Sequence, residues 1–140
     1  RRYRFNFEKA AKRDRLDIAA VNTAICIVLK GDADSPVGTA GPEEALHSSH
    51  AAPPVLGKVR ISAGGVGPTP LLLRRASSML EGQVLTTALV MAAAEMAQKE
   101  ISPISDVRGS AEYRREALYR LFLAHFITLF PQYIDEEVLL

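Results

Sequence analysis

Lys9, Lys12 and Arg13 stand within a five-residue span near the start of the chain. Such a cluster is either a solvated basic loop or a set of cations placed beside an electron-rich or anionic cofactor. Gly64-Gly65-Val66-Gly67 has the look of a phosphate loop, but it lacks both the GxGxxG spacing and a P-loop Lys-Ser/Thr pair. Pro68 also removes a backbone donor where an anion site needs one. The stretch therefore reads as a tight strand-to-helix turn, because glycine reaches backbone angles closed to other residues. His47, His50 and His125 raise the question of a metal. His47 and His50 have no carboxylate at useful spacing, and His125 lies seven residues after Leu118 on the apolar face of a helix, so a satisfied, partly buried histidine is the expectation there. Cys26 sits in an apolar run, where cysteine behaves as a small hydrophobe, and nothing near it in sequence would lower its pKa.

The stretch from Asp106 to Arg115, Asp-Val-Arg-Gly-Ser-Ala-Glu-Tyr-Arg-Arg, is the most informative. It reads as a polar turn leading into a capped helix. Asp106 or Glu112 can pair with Arg108 or with Arg114 and Arg115. The structural reading is a salt-bridged helix entry; because exposed pairs of this kind contribute under ~1 kcal/mol, the alternative is that charge this dense serves an interface.

The elements that must carry these groups follow from periodicity. Tyr3, Phe5 and Phe7 alternate with Arg4 and Asn6, which gives a half-buried strand. Asp17 can cap a short helical turn through Ile18 to Val21. Residues 24–29 form a continuous apolar run, expected as a central strand. Residues 31–54 hold four prolines and three glycines, the mark of a long, mobile surface loop with at most a helical turn near Glu43. Residues 55–63 give a third strand. From Thr69 the period becomes helical. Thr69 and Pro70 open a first helix and Gly82 closes it. Thr86 caps a second helix that Pro103 stops, and Ser110 caps a third that Pro131 ends. Strands followed by helices argue an α+β fold: a small sandwich of a three- to four-stranded antiparallel sheet with three helices on one face.

The 140 residues make one domain. With 17 basic and 16 acidic residues the net charge is +1, which gives no support to nucleic-acid binding. The single cysteine excludes an internal disulfide and any all-cysteine iron–sulfur site. No apolar run reaches the roughly 18–20 residues needed to span a bilayer. A reduced, cytoplasmic setting fits this composition. The opening Arg1-Arg2-Tyr3-Arg4, with no Met and no apolar h-region, reads as a fragment or processed chain and not as a secretory precursor.

Three stretches carry a resemblance. Residues 8–24, with Lys9, Arg13 and Asp17-Ile18-Ala19-Ala20-Val21-Asn22, resemble the K-x-x-x-R…D-I-A-x-V-N-x-A motif of the flavin subunit of molybdenum hydroxylases. Gly64-Gly65-Val66-Gly67-Pro68-Thr69-Pro70 resembles that family's G-G-V-A-P-T-P turn, and residues 106–115 resemble its C-terminal motif. They occur in the family's order, so the resemblance covers residues 3–130. The wording is most like a bacterial xanthine dehydrogenase FAD-binding subunit.

The resemblance implies the C-terminal subdomain of the FAD-binding component, with residues 1–130 as the domain, 31–54 as a loop insertion and 131–140 as a tail. It implies FAD shared with a preceding subdomain that is not in this chain, and molybdopterin and 2Fe–2S clusters on partner domains or subunits. Electrons pass through those clusters to FAD and often on to NAD. Lys9, near the isoalloxazine, and Arg13, on the same loop, are the implied cofactor-binding residues. The chain would not be catalytic alone, and no membrane or nucleic-acid partner is expected. The long 31–54 loop and the tail depart from the family pattern. The competing reading is a non-catalytic assembly or dimerisation module that never touches flavin, and Lys9 is the residue that separates the two.

Overall fold

A computed structural model describes residues 2–13, 18–31 and 52–139. Four strands form one antiparallel sheet: β1 (Arg4–Ala10), β2 (Val21–Leu29), β3 (Leu56–Gly64) and β4 (Leu71–Leu72), in that spatial order. The helices follow: α1 (Arg74–Leu80), α2 (Thr87–Glu100), α3 (Ala111–Leu129) and the short α4 (Glu136–Leu139). The α+β order expected from periodicity is the one observed.

β2 shows why the sheet has one covered face. Val21, Thr23, Ile25 and Ile27 are buried, while Asn22, Ala24, Cys26 and Val28 lie on the other side. Alternate residues of a strand point to opposite faces, so the branched set meets the helices. Val59, Ile61 and Ala63 of β3 join it from the next strand. From the helical layer come Leu80, Val90, Ala94 and Leu118, and the ring series Phe122, Phe126 and Phe130, with centroids 5.7 and 6.3 Å apart.

β1 turns its polarity around. Its aromatics, Phe5 and Phe7, are 58% and 52% exposed on the open face, while Arg4, Asn6 and Glu8 face α3. The alternation is as expected, but the aromatic side is not the covered one. Partners beneath the strand explain this. His125 of α3 bonds Asn6, and the Arg4 guanidinium lies 5.4 Å from the centre of the Phe130 ring, a favourable cation–π distance.

Two further expectations are corrected. Thr69 and Pro70 do not open the first helix. Leu71 and Leu72 pair with β3 instead, and Leu73 N–H donates to the Ile61 carbonyl at 2.8 Å. Helix α1 begins only at Arg74, its first turn capped by the Glu100 carboxylate at the end of α2, which accepts from the Arg75 and Ala76 amides at 2.8 and 2.9 Å. A cap supplied from 25 residues away leaves no local trace. The helical turn proposed through Ile18 to Val21 is also absent: Ile18 to Ala20 are irregular and Val21 begins β2. Asp17 lies outside the described residues, as do 32–51, which hold most of the expected 31–54 loop, the turn near Glu43, and His47 and His50.

The caps at Thr86 and Ser110 are present, accepting from Leu89 N–H and Tyr113 N–H at 3.1 and 3.0 Å. After α3 the chain folds back. Ile134 is buried, and Asp135 N–H donates to Thr87 Oγ1 at 3.0 Å at the start of α2. Among the described residues, no helix is long and apolar enough to cross a membrane.

Candidate functional site

One end of the sheet gathers all three singled-out stretches. Lys9, on β1, stands opposite Asn22 of β2, which stands opposite Gly64 of β3. The next rungs on the same face are Phe7, Ala24, Ser62 and Leu72, then Phe5, Cys26 and Arg60. Small residues in the middle of the sheet leave a shallow open face. The exposed rings of Phe5 and Phe7 border it along one edge and Leu72 along the other. Lys9 stands exposed at the end of the aromatic row.

Beyond Lys9 the chain leaves the sheet and returns. Ala20 N–H donates to the Ala10 carbonyl at 2.8 Å, which closes the neck of that excursion. Lys12 and Arg13 lie exposed just past the neck. The Lys12 ammonium donates to the Val107 carbonyl at 3.1 Å, so the basic stretch touches the turn before α3.

Arg114 joins the same parts from inside. It is 5% exposed. One guanidinium nitrogen donates to the Ala20 and Gly65 carbonyls at 2.6 and 2.8 Å, and the other pairs with Asp106 Oδ1 at 2.7 Å. Asp106 Oδ1 also accepts from the Arg108 and Gly109 amides at 2.9 and 3.3 Å. The hydrogen bond from Arg114, then that from the Arg108 amide, holds the Asp106 carboxyl below its ordinary range. Arg115 binds the Gln98 carbonyl and, at 3.1 Å, the Ile101 carbonyl, which ties α3 to the end of α2. Asp106, Arg114 and Arg115 are thus bound within the fold, as a salt-bridged helix entry requires, while Arg108 and Glu112 stay exposed.

The glycine turn serves the same packing. A Cβ on Gly65, whose φ is +75°, would stand 2.1 Å from the Ala20 carbonyl oxygen, and one on Gly64 would meet the Asn22 amide group at 2.8 Å. The space those glycines leave is filled by this chain. The turn therefore does not fit a pyrophosphate cradle, as its missing motif spacing suggested.

His125 is fully buried, as expected of a satisfied core histidine. Asn6 Nδ2 donates to its Nδ1 at 3.1 Å. Its Nε2 lies 3.3 Å from Thr23 Oγ1, which donates to the Ser62 carbonyl at 2.8 Å. This order of donors places the proton on Nε2 and leaves the ring neutral. Burial lowers its pKa to about 4. Cys26 is half-buried on the open face. Among the described residues, no three His, Cys, Asp or Glu side chains are placed to hold a metal ion.

Arg114 is what the sequence reading missed as an internal anchor. The signal was present: Arg114, Leu118 and Phe122 are spaced by four, so the arginine continues the buried stripe of α3.

The fold and the site together define a small α+β domain with one covered face, one open face and a cationic end. The chain matches the family of CO dehydrogenase flavoprotein C-terminal domains over residues 46–129, 84 of its 140 residues, and it belongs to that family. These flavoproteins are the FAD-binding components of molybdenum hydroxylases. Among solved structures the chain is similar to carbon monoxide dehydrogenase from Hydrogenophaga pseudoflava, with 21% identity, a TM-score of 0.68, and 93% of this chain and 37% of that one covered. It is similar to quinoline 2-oxidoreductase from Pseudomonas putida 86, with 22% identity, a TM-score of 0.67, and 90% and 36% covered. Reconstituted CO dehydrogenase from Oligotropha carboxidovorans gives 22%, 0.63, and 85% and 34%. The chain spans about a third of the length of these solved chains. No curated protein sequence matches it.

Proposed function

We propose that this chain is the C-terminal subdomain of the FAD-binding component of a molybdenum hydroxylase, and that its cationic end lies against the flavin. The observation that carries this reading is Lys9, exposed at the end of an exposed aromatic row on the open sheet face. An uncovered row of aromatics marks a surface that another body covers. A lysine at its margin suits a ring that gains negative charge on reduction.

The residues fit one part of FAD and not another. Lys9, with Lys12 and Arg13 close by in the chain, supplies positive potential for the isoalloxazine edge. The glycine turn is filled from within at Gly64 and Gly65, so the pyrophosphate grip is assigned to the preceding part of the flavoprotein. When bound, FAD supplies the redox chemistry, and the protein contributes orientation and electrostatics. Lys9 holds a cation near the ring, and the aromatic row and Leu72 exclude water at the seam.

In the whole enzyme, FAD held against this end would supply the link between the 2Fe–2S clusters and molybdopterin of partner subunits and an acceptor such as NAD. The motif wording is most like the xanthine dehydrogenase type, and the setting is cytoplasmic. Residues 1–130 form the family's domain, and the segment after it packs back onto that domain through Ile134.

Amine labelling tests the reading. In the assembled flavoprotein, Lys9 should be protected from acetylation when FAD is bound and labelled when it is stripped, while the isolated chain should hold no FAD. Equal labelling with and without FAD, or an isolated chain that binds flavin stoichiometrically, contradicts it.

A further inference from the structure

We infer that Arg114, acting with Asp106, is a positioning residue for the cationic end: a buried guanidinium that sets where Lys9 and Lys12 stand and touches no cofactor itself. The inference rests on the reading of the Lys9 end as the flavin side.

The geometry leads outward from one group in two directions. Through Ala20, whose carbonyl Arg114 holds, the path reaches Ala10, because Ala20 N–H bonds the Ala10 carbonyl. Ala10 follows Lys9 directly. Through Asp106 the path reaches the turn whose amides that carboxylate caps, and so Val107, whose carbonyl receives the Lys12 ammonium. The third bond, to Gly65, fixes both against the end of β3.

The clamp supplies geometry as well as stability. Burying the guanidinium costs desolvation energy, which its bonds to Ala20, Gly65 and Asp106 must offset. Arg114 Nε is buried and has no hydrogen-bond partner among the described residues, so the two terminal nitrogens carry the contacts. What a planar fork supplies, and an ammonium or an amide does not, is fixed directions to several acceptors at once.

The test compares Arg114→Lys, which keeps the charge and loses the fork, with Asp106→Asn, at a side chain 37% exposed whose replacement leaves the core packing intact. Phe126→Leu serves as a core control. Hydrogen exchange on this chain should show faster exchange of the Ala20 and Gly109 amides in both variants and not in the control. In the assembled flavoprotein, both should lower the flavin midpoint potential, in the same direction as Lys9→Ala and by less, and weaken FAD protection of Lys9 from acetylation. Phe126→Leu should lower the melting temperature and leave the potential unchanged. If Lys9→Ala shifts the potential while Arg114→Lys and Asp106→Asn leave it and the protection at wild-type values, Arg114 is structural only and the inference is overturned. If Lys9→Ala itself shifts nothing, the flavin-side reading has failed, and the role given to Arg114 fails with it.

Discussion

The guanidinium of Arg114 reaches the main-chain carbonyl of Ala20 at 2.6 Å, across 94 positions of sequence. One side chain on the third helix thereby holds the strand-to-strand excursion that carries Lys12 and Arg13. Removing it leaves the Ala20 and Gly65 carbonyls without their donor. At about 1–3 kcal/mol for each of these two acceptors, Arg114→Met should cost about 2–6 kcal/mol, read from urea unfolding. A loss under about 0.5 kcal/mol would show that water replaces the clamp freely.

Gly65 and Gly82 share positive φ, +75° and +77°, but not surroundings. A Cβ on Gly82 meets nothing within 4 Å, whereas one on Gly65 stands 2.1 Å from the Ala20 carbonyl oxygen. Gly82→Ala should therefore cost only the left-handed strain, about 1–2 kcal/mol. Gly65→Ala adds a main-chain collision and should cost clearly more. Thermal melts of the two variants decide this, and equal losses would mean that the turn over Ala20 yields easily.

Acid should weaken the domain through His125. Its pKa falls from 6.5 to about 4 on burial, so the unfolded chain binds a proton that the folded chain refuses. The neutral ring's contribution is complete above pH 6.5 and is lost as the pH falls towards 4, up to about 3 kcal/mol. The lowered Asp106 carboxyl works in the same direction at lower pH, because its bonds to Arg114 and the Arg108 amide favour the charged form. His125→Gln should flatten the stability profile between pH 7 and 4.5. A mutant profile as steep as the wild type would move the titration elsewhere.

The aromatic row makes a separate prediction. Phe5 and Phe7 add little to this domain's own core, being more than half exposed. Phe5→Ser with Phe7→Ser should leave the melting temperature of the chain within about 2 °C of wild type, as exposed substitutions usually do. Association with the preceding part of the flavoprotein should weaken at least about tenfold, measured by titration calorimetry. A large loss of intrinsic stability with unchanged association would show that the row serves the fold and not an interface.

The sequence made the fold legible wherever the signal was local. The branched run of β2, the caps at Thr86 and Ser110 and the apolar stripe of α3 each declare themselves within a turn or two of chain. It failed where the determinant came from afar. The start of α1 is set by Glu100 and by the pairing of Leu71 and Leu72 with β3, so a good local cap at Thr69 loses to tertiary contacts. Period two in β1 announced a strand, but not which side is covered. That depends on His125 and Phe130 lying beneath it. At the site, Lys9 and Arg13 were visible as a cluster, whereas the partners of Arg114 could not be chosen from four nearby charges without knowing that Ala20 and Gly65 converge on it.

If Lys9 places a cation at the flavin, the midpoint potential of the flavin in the assembled enzyme must depend on it. A unit charge pair about 4 Å apart interacts by roughly 4 kcal/mol at an effective dielectric near 20. Solvent access reduces this to about 1–2 kcal/mol, about five- to thirtyfold in the redox equilibrium. Lys9→Ala should lower the potential by that amount with FAD content unchanged, slowing electron delivery through flavin more than substrate oxidation at molybdenum. An unchanged potential at full FAD content would contradict the account, leave Lys9 a solvated strand residue, and favour the assembly-module reading.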